Sequence, residues 1–340
     1  MLLDLQQIQG ISLGAVEVTQ EADGFHFYRF TRQQRELYRG TTEDFYKKTF
    51  STSGVQLRFV TDSSRMKLTV QLTPGSSRKY FSVDVTVDDA FHDALDNIPS
   101  ALPQNYTTIE LPLGSYEKSF DLGQGEKTVG VYLPWSVCTV LERMELDDGA
   151  SVIPVKPSHK LLALGDSITQ GYDALRPTNK YITRLANALD AQEYNKGIGG
   201  ERFFPPLAAL EEPFRPDWVT VAYGTNDWGN CTLEKFRENC TAFLTNLRRL
   251  YPEAKILVLT PIWRGEWQAD KPMGPFSVLE QALRAAAETL QDVTVIPGFD
   301  LVPSDQSLFA DQWLHPNDKG FHYYFENLLG AISPKKGTEI

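Results

Sequence analysis

Two side chains in the C-terminal half of the chain have the chemistry of a nucleophile and a general base. Ser167 follows a short apolar run at residues 160–164 and lies at a predicted strand-to-helix turn, where its hydroxyl is exposed beyond the strand. His315 lies in the segment Asp311–Asn317, and histidine is the usual general base near neutral pH. A serine activated by a histidine attacks acyl groups, so this pair predicts acyl-transfer chemistry.

Two further segments supply candidate donors for a developing oxyanion. The loop Asn195–Gly200 is rich in glycine, which lets a backbone N–H approach a substrate closely. Asn226 follows the apolar run 218–223, and its amide is a second donor. The backbone N–H of Ser167 points into the same region, where the start of a helix favours negative charge. Taken singly, each segment is also ordinary turn chemistry.

Two better-known motifs do not fit these segments. Position 169 is Thr, whereas the G-x-S-x-G nucleophile elbow requires glycine there. Position 202 is Arg, which breaks the dinucleotide-binding pattern G-x-G-x-x-G.

The elements that must position these residues alternate between strand and helix after Pro157. We predict strands at 160–164, 218–223, 255–260 and 293–297, with a weaker one at 193–195. Helices are predicted at 178–189, 233–250, 278–290 and about 317–332. This alternation builds a parallel sheet with helices on both faces, and ligands bind beyond the carboxyl ends of its strands.

Before residue 155 the apolar residues recur with period two. Strands are predicted at 26–30, 54–63, 65–74, 81–87, 106–113, 118–122, 127–133 and 137–146. Many short strands with turn signals between them indicate an antiparallel β-sandwich of jelly-roll type. The linker Asp147–Ser158 contains glycine and two prolines. We therefore predict a β-sandwich accessory domain at 1–155 and a catalytic domain at 156–340.

The four polar segments, in this order and each at a strand end, resemble the SGNH or GDSL hydrolase superfamily. The matching positions are Ser167, Gly200, Asn226 and His315. The resemblance covers about residues 158–332 and implies a flavodoxin-like, three-layer α/β fold that hydrolyses an ester. It implies an oxyanion hole made of Ser167, Gly200 and Asn226, and neither a metal nor an organic cofactor.

The group that orients His315 departs from the family pattern. The usual spacing is D-x-x-H, but three residues separate Asp311 from His315. Asp311 can still reach the imidazole if the loop bulges, and we expect it to be the acid. The alternative is a backbone carbonyl, such as that of Trp313.

A β-sandwich before an SGNH domain resembles two-domain carbohydrate esterases, which mostly remove acetyl groups from sugars. We therefore expect an esterase acting on small acyl esters, acetyl above all, of O-acetylated carbohydrates. The alternatives are a lipid-type esterase or acyl thioesterase, and a non-catalytic carbohydrate-binding protein. Candidate substrate-binding residues are Asp166, Arg202, Trp228, Trp263 and Trp313.

Composition narrows the partners further. Of 340 residues, 41% are hydrophobic and 23% are charged, as in soluble globular proteins, and the net charge of −11 disfavours nucleic acid and anionic membranes. Three cysteines argue against a disulfide scaffold and for a reducing compartment. Since the sequence shows neither a signal peptide nor a membrane-spanning run, we expect a cytoplasmic protein. Three roles remain open for the sandwich: it binds glycan, it forms one wall of the active site, or it forms a homo-oligomer contact.

Overall fold

The computed structural model describes residues 1–103 and 106–333. Two antiparallel sheets come first in the chain and a parallel sheet follows. The strands of the antiparallel sheets are β1 (Ser12–Leu13), β2 (Glu17–Glu21), β3 (Gly24–Tyr28), β4 (Gln56–Thr61), β5 (Arg65–Pro74), β6 (Ser82–Val87), β7 (Ala90–Asp96), β8 (Ser115–Asp121), β9 (Lys127–Tyr132), β10 (Val137–Leu146) and β11 (Ile153–Pro154).

The antiparallel sheets form a β-sandwich, as the period-two pattern predicts. One has the strand order β1-β4-β9-β6-β7 with β11 beside β4, and the other has the order β2-β3-β10-β5-β8. Along β5, Met66, Leu68, Val70 and Leu72 alternate with more polar residues and are buried between the sheets. Alternate side chains point to opposite faces of a strand, so this alternation places one apolar face against the core.

The strand predicted at 106–113 is wrong. Tyr106–Thr108 form a 3-10 turn, and no strand follows before β8 in this described stretch. Pro112 has no N–H to donate to a ladder. The ring of Tyr106 instead packs edge-on against Tyr80 at 5.7 Å, in a small aromatic cluster beside the sandwich.

Three short helices lie in the N-terminal part of the chain and were not predicted. They are α1 (Leu5–Ile11), α2 (Arg32–Arg39) and α3 (Glu43–Lys48). The helix α2 begins with a capping box, in which Thr31 and Gln34 each bind the other's backbone N–H. The predicted strand 26–30 ends at Tyr28, because Arg29 and Phe30 leave the sheet and enter the buried contact described below.

The parallel sheet has the predicted flavodoxin-like order. Its strands β12 (His159–Gly165), β13 (Ala191–Asn195), β14 (Trp218–Ala222), β15 (Lys255–Leu259) and β16 (Val293–Ile296) are arranged β13-β12-β14-β15-β16. Every pairing among them is parallel. The helices are α4 (Ser167–Gln170), α5 (Tyr181–Ala188), α6 (Pro205–Ala208), α7 (Leu233–Leu250), α8 (Val278–Ala287) and α9 (Asp318–Ile332).

Helices cover both faces of this sheet and complete a three-layer α/β architecture. Leu162 and Leu164 of β12 pack in the core shared with α7 and α8. Leu161 and Ala163 pack in the opposite core, with α5 and α9. A strand buried on both faces needs a continuous apolar run, which explains the sequence KLLAL. None of the helices in residues 1–103 and 106–333 has the length and apolarity of a membrane span.

A fully buried arginine joins the sandwich to the parallel-sheet part. The guanidinium of Arg29 donates to the carbonyl oxygens of Asn195 and Gly197 at 2.9 and 2.8 Å, across the contact. On its own side it donates to the carbonyls of Ser51 and Lys48 and to the Ser51 hydroxyl, at 2.8 to 2.9 Å. Because all its donors are used, a cation survives at a site that is 0% exposed.

Two buried lysines reinforce the same contact. Lys180 donates to Glu193 at 2.9 Å and to the Ser53 hydroxyl of the sandwich at 3.0 Å. Lys196 donates to the carbonyl oxygen of Arg29 and forms a 2.9 Å ion pair with Glu212. Both lysines are fully buried, so each needs its carboxylate to stay charged.

Removing the Arg29 cation should destabilise the whole molecule. Arg29→Met removes the buried donor to the carbonyl oxygens of Ser51, Asn195 and Gly197, which we expect to cost at least about 3 kcal/mol and to lower Tm by about 5 °C or more. Thermal unfolding followed by circular dichroism measures the effect. Arg39→Met is the matched control, since Arg39 is 54% exposed. Equal Tm values for the two variants would contradict this account of the interface.

Candidate active site

Ser167 begins the one-turn helix α4 directly after β12. Asp166 caps this turn by accepting the N–H of Ile168 at 3.0 Å, and Gly171 ends it with a φ of +114°. The sharp turn places the serine at the carboxyl end of the sheet, where side chains from neighbouring strands meet. Ser167 is only 4% exposed, so its hydroxyl lies in a largely enclosed site.

His315 lies within hydrogen-bonding distance of this hydroxyl. Its Nε2 is 2.9 Å from Ser167 Oγ, although the two residues are 148 positions apart in the chain. The imidazole ring stacks on Tyr172, with 5.4 Å between ring centroids. A neutral imidazole in this position can take the hydroxyl proton through Nε2.

Asp311 reaches the other nitrogen of the imidazole despite its unusual spacing. Its Oδ2 is 2.7 Å from His315 Nδ1. Gln312 has a φ of +64°, which bends the loop so that Asp311 Oδ1 accepts the N–H groups of Trp313, Leu314 and His315 at 2.8 to 3.1 Å. The extra residue is thus absorbed in a tight turn.

This environment favours the ionised form of Asp311. Burial would raise the pKa of Asp311, but the hydrogen bond and charge of His315, together with the N–H groups of Leu314 and Trp313, lower that pKa to about 2. The carbonyl oxygen of Trp313, the alternative partner of the imidazole, accepts the N–H of Gly265 at 2.7 Å instead. The structure therefore favours Asp311 over a backbone carbonyl as the partner of His315.

The predicted oxyanion donors lie on neighbouring loops. Gly200 has a φ of +87°, which a residue with a side chain rarely adopts. Among the described residues, the N–H groups of Ser167 and Gly200 have no hydrogen-bond acceptor. Asn226 donates one amide N–H to the carbonyl oxygen of Glu201 at 2.9 Å, and the second N–H of that amide has no partner in the described part of the chain.

Basic side chains of the sandwich hold the carbonyls of the glycine loop. Besides the two bonds from Arg29, Lys48 of α3 donates to the carbonyl oxygen of Gly199 at 2.9 Å. The loop that carries Gly200 is therefore fixed from the N-terminal part of the chain. Sequence reasoning missed this dependence, because no local pattern links residues 29 and 48 to residue 199.

Three carboxyl groups buried around the site have raised pKa values. Burial raises the pKa of Asp166 to about 6 and that of Asp227 to about 7. Burial also raises the pKa of Glu201 to about 8, against the opposing hydrogen bonds of Tyr38 and Tyr223. Of the three, Glu201 is the one whose pKa lies above neutral pH, so its carboxyl group keeps its proton there.

The predicted substrate-binding residues separate into two groups. Arg202 lines a cavity of about 400 Å³ whose walls also include Glu201 and Asp227, the residues following Gly200 and Asn226. Trp313 is 41% exposed, and the Arg264 guanidinium lies 5.1 Å from its ring centroid.

The other members of that set are buried. Asp166 serves as the helix cap described above. Trp228 is 0% exposed and donates its indole N–H to the carbonyl of Gly274 at 2.8 Å. Trp263 is buried against Phe309, with 4.8 Å between ring centroids. These two tryptophans support the loops around the site from inside, and neither lines the Arg202 cavity.

A second carboxylate near His315 was not predicted. Asp173 Oδ2 is 3.5 Å from His315 Nδ1. Asp173, Asp311 and His315 are close enough together to be considered as metal ligands. However, the oxygens of Asp173 accept hydrogen bonds from Arg78 and Tyr80, and those of Asp311 accept three backbone N–H groups and the imidazole. These donors fit a hydrogen-bonded network, and we assign no metal to it.

The C-terminal part of the chain matches a known family. Residues 163–322 match the model of the GDSL-like Lipase/Acylhydrolase family. This span forms a GDSL-like ester hydrolase domain. The resemblance predicted from four short segments is thereby confirmed over this span, and the chain is an ester hydrolase.

Solved structures resemble the chain over most of its length. SsfX3, a salicylyl-acyltransferase from a tetracycline biosynthetic pathway, is 21% identical with a TM-score of 0.79, covering 94% of this chain and 95% of that one. The acetyl xylan esterase Est2A from the rumen bacterium Butyrivibrio proteoclasticus is 16% identical with a TM-score of 0.63, covering 98% and 97%.

A family two carbohydrate esterase from Clostridium thermocellum, in complex with cellohexaose, is also similar. It is 14% identical with a TM-score of 0.62, covering 83% of this chain and 92% of that one. At such identities the likeness shows a shared fold that includes the sandwich. No curated protein sequence matches the chain.

The raised pKa of Glu201 predicts a pH-dependent stability. Between its ordinary pKa of 4.5 and about 8, the folded protein keeps a proton that the unfolded chain releases, so stability falls as pH rises through this window. Glu201→Gln cannot ionise, and its Tm relative to wild type should therefore increase from pH 5 to pH 8. Thermal unfolding at several pH values tests this, with the exposed Glu43→Gln as control. A Tm difference independent of pH would refute the assignment.

Proposed function

We propose that this chain is a serine esterase in which Ser167 is the nucleophile and His315 is its general base. The main support is a continuous hydrogen-bonded chain. Ser167 Oγ lies 2.9 Å from His315 Nε2, and His315 Nδ1 lies 2.7 Å from Asp311 Oδ2. His315 takes the proton of Ser167 as Oγ attacks the ester carbonyl, and Asp311 stabilises the imidazolium that forms. Water then hydrolyses the acyl-enzyme, with His315 again acting as base.

In the same proposal, three donors stabilise the oxyanion. These are the N–H groups of Ser167 and Gly200 and the unpaired N–H of the Asn226 amide. The assignment is supported because none of these three N–H groups has an acceptor among the described residues. Each can therefore bind the oxyanion without breaking a hydrogen bond within the protein. One such donor typically contributes about 100- to 1,000-fold in rate.

We further propose that the substrates are small acyl esters, acetyl above all, carried on carbohydrates. The Arg202 cavity combines polar side chains with aromatic ones, namely Asn230, Lys235, Asn239, Phe45 and Phe204. Hydroxyl groups of a sugar match the polar donors and acceptors, and its apolar ring faces match aromatic rings. The likeness to an acetyl xylan esterase and to an esterase in complex with cellohexaose supports the same class.

A second candidate, an esterase for longer acyl chains, is favoured by a different cavity. This cavity of about 300 Å³ is mostly apolar and is lined by Pro261, Trp267, Phe276, Leu279 and Phe299, among others. Apolar walls of this kind accommodate an alkyl or aryl group. It lies beyond β15, whereas the Arg202 cavity lies beside the oxyanion loops.

Removing the nucleophile tests the proposed mechanism. Ser167→Ala should lower kcat for acetate release from a panel of acetylated oligosaccharides by at least about 1,000-fold, because the acyl-enzyme cannot form. Ser119→Ala, at an exposed position of β8, is the control and should leave the rate unchanged. Wild type, but not Ser167→Ala, should be labelled by a serine-directed phosphonate. Undiminished turnover by Ser167→Ala would disprove the mechanism, and failure of wild type to be labelled would favour a non-catalytic carbohydrate-binding protein.

Acyl-chain length separates the two substrate classes. We expect wild type to hydrolyse the acetyl ester of 4-nitrophenol at least about tenfold faster than the octanoyl ester, measured as kcat/KM. Trp267→Ala should leave this ratio unchanged if the acyl group stays near Ser167. A preference for octanoyl that Trp267→Ala abolishes would instead establish the second candidate.

A further inference from the structure

The side of His315 that faces away from Ser167 has two carboxylates rather than one. Asp311 Oδ2 is 2.7 Å from Nδ1 and Asp173 Oδ2 is 3.5 Å from the same nitrogen. The side chain of Asp173 is 0% exposed, so water does not screen its charge. A second uncompensated carboxylate at this distance would strongly favour the protonated imidazole and oppose its action as a base.

The charge of Asp173 is compensated from the sandwich. Arg78, in the connection between β5 and β6, forms a two-point ion pair with it: Nε to Oδ1 at 2.6 Å and Nη2 to Oδ2 at 2.9 Å. Tyr80 in the same connection donates its hydroxyl to Oδ1 at 2.7 Å. Burial alone would lower the pKa of Arg78, but the pairing with Asp173 raises it, so the guanidinium stays charged.

Arg78 and His315 also contact the same aromatic ring, that of Tyr172. The Arg78 guanidinium lies 5.3 Å from the Tyr172 ring centroid, and the same ring stacks on His315 at 5.4 Å. The main-chain N–H of Ser77 contacts the Tyr172 hydroxyl at 3.4 Å. The β5–β6 connection therefore packs against both groups that flank the imidazole, Tyr172 and Asp173.

We propose that Arg78 and Asp173 are positioning residues for His315, and that the sandwich thereby sets the proton balance of the catalytic base. This inference rests on the proposed function of His315. Arg78 cancels the charge of Asp173, so that the imidazole interacts with the single uncompensated carboxylate of Asp311. Tyr80 and Tyr172 hold this arrangement in place. The β-sandwich is then part of the catalytic machinery.

Other charged and titratable groups surround His315 and are common to every variant compared below. They are Asp166 from the β12–α4 turn, Arg264 from the loop after β15, and Tyr106, together with three groups already named: Asp311, Tyr80 and Tyr172. Only Arg78 and Asp173 change among the variants that test the pair. If the pH shift caused by Arg78→Met is cancelled by Asp173→Asn, the shift therefore comes from the interaction of these two residues.

The test is the pH profile of kcat/KM for an acetyl ester, measured on the full chain. Arg78→Met should move the acid limb to higher pH by about one to three units, because Asp173 then favours the protonated imidazole. Asp173→Asn should move it the opposite way, since Arg78 is left uncompensated. The double variant should return close to wild type, and Arg78→Lys should stay close to wild type throughout.

Two controls separate this role from simple packing. Arg176→Met removes another ion pair between the two parts of the chain, from Arg176 to Asp84 at 3.2 Å, and should leave the acid limb in place. A purely structural role for Arg78 would lower kcat/KM equally at all pH values. An Arg78→Met profile with an unmoved acid limb, or a shift that Asp173→Asn does not reverse, would overturn the proposal.

An NMR titration, which needs no turnover, tests the role of Arg78 and Asp173 separately from the proposed esterase activity. The ring signals of His315, assigned by comparison with His315→Gln, can be titrated by NMR in wild type and in Arg78→Met. A higher midpoint in Arg78→Met supports the inference even if no tested ester is hydrolysed, whereas equal midpoints refute it. Wild type that hydrolyses acetyl esters normally while both midpoints agree would leave the esterase proposal standing and remove this one.

Discussion

The buried guanidinium of Arg29 is the interaction on which the geometry of the site depends. It binds carbonyl oxygens of the sandwich and of the glycine loop at the same time, with every donor used. A planar cation with five fixed donors can hold several carbonyls in one arrangement, which a lysine cannot do. The loop leading to Gly200 is thus held by a residue that lies 171 positions before Gly200 in the sequence.

The rest of the site is buried, and its carboxyl groups differ in how readily they ionise. Ser167, His315 and Asp311 form one hydrogen-bonded chain, and the buried carboxyls of Glu201 and Asp227 have raised pKa values beside it. A neutral carboxyl adds little field at the oxyanion position, whereas an ionised one would oppose negative charge there. The ionised carboxylate is kept on the far side of the imidazole, where it stabilises the positive charge that develops during proton transfer.

Local patterns of the sequence were sufficient for the parallel sheet and the position of the nucleophile. The continuous apolar runs at 160–164, 218–223 and 255–260 are strands that must be buried on both faces, and the order of the polar segments after them places Ser167, Asn226 and His315 at one edge. The period-two pattern likewise yielded β5 and β10 with their bounds. The helix α2 could have been found from the spacing of Thr31 and Gln34, which is that of a capping box.

What the sequence could not provide depends on contacts between distant segments. The roles of Arg29 and Arg78 arise only when the sandwich packs against the parallel-sheet part, and nothing in their neighbouring residues signals it. The aromatic residues near strand ends were ambiguous for the same reason: Trp228 and Trp263 are buried, whereas Trp313 is exposed, and residue type alone does not separate these cases.

The left-handed conformation of Gln312 has a consequence for how such enzymes are recognised. One residue with a φ of +64° shortens the path between Asp311 and His315, so the carboxylate lies 2.7 Å from the imidazole although four steps along the chain separate the two residues. A search string that fixes the interval between acid and base passes over any chain that uses this turn. A criterion based on the distance between the carboxylate and the imidazole, without regard to the number of residues between them, would find such a chain.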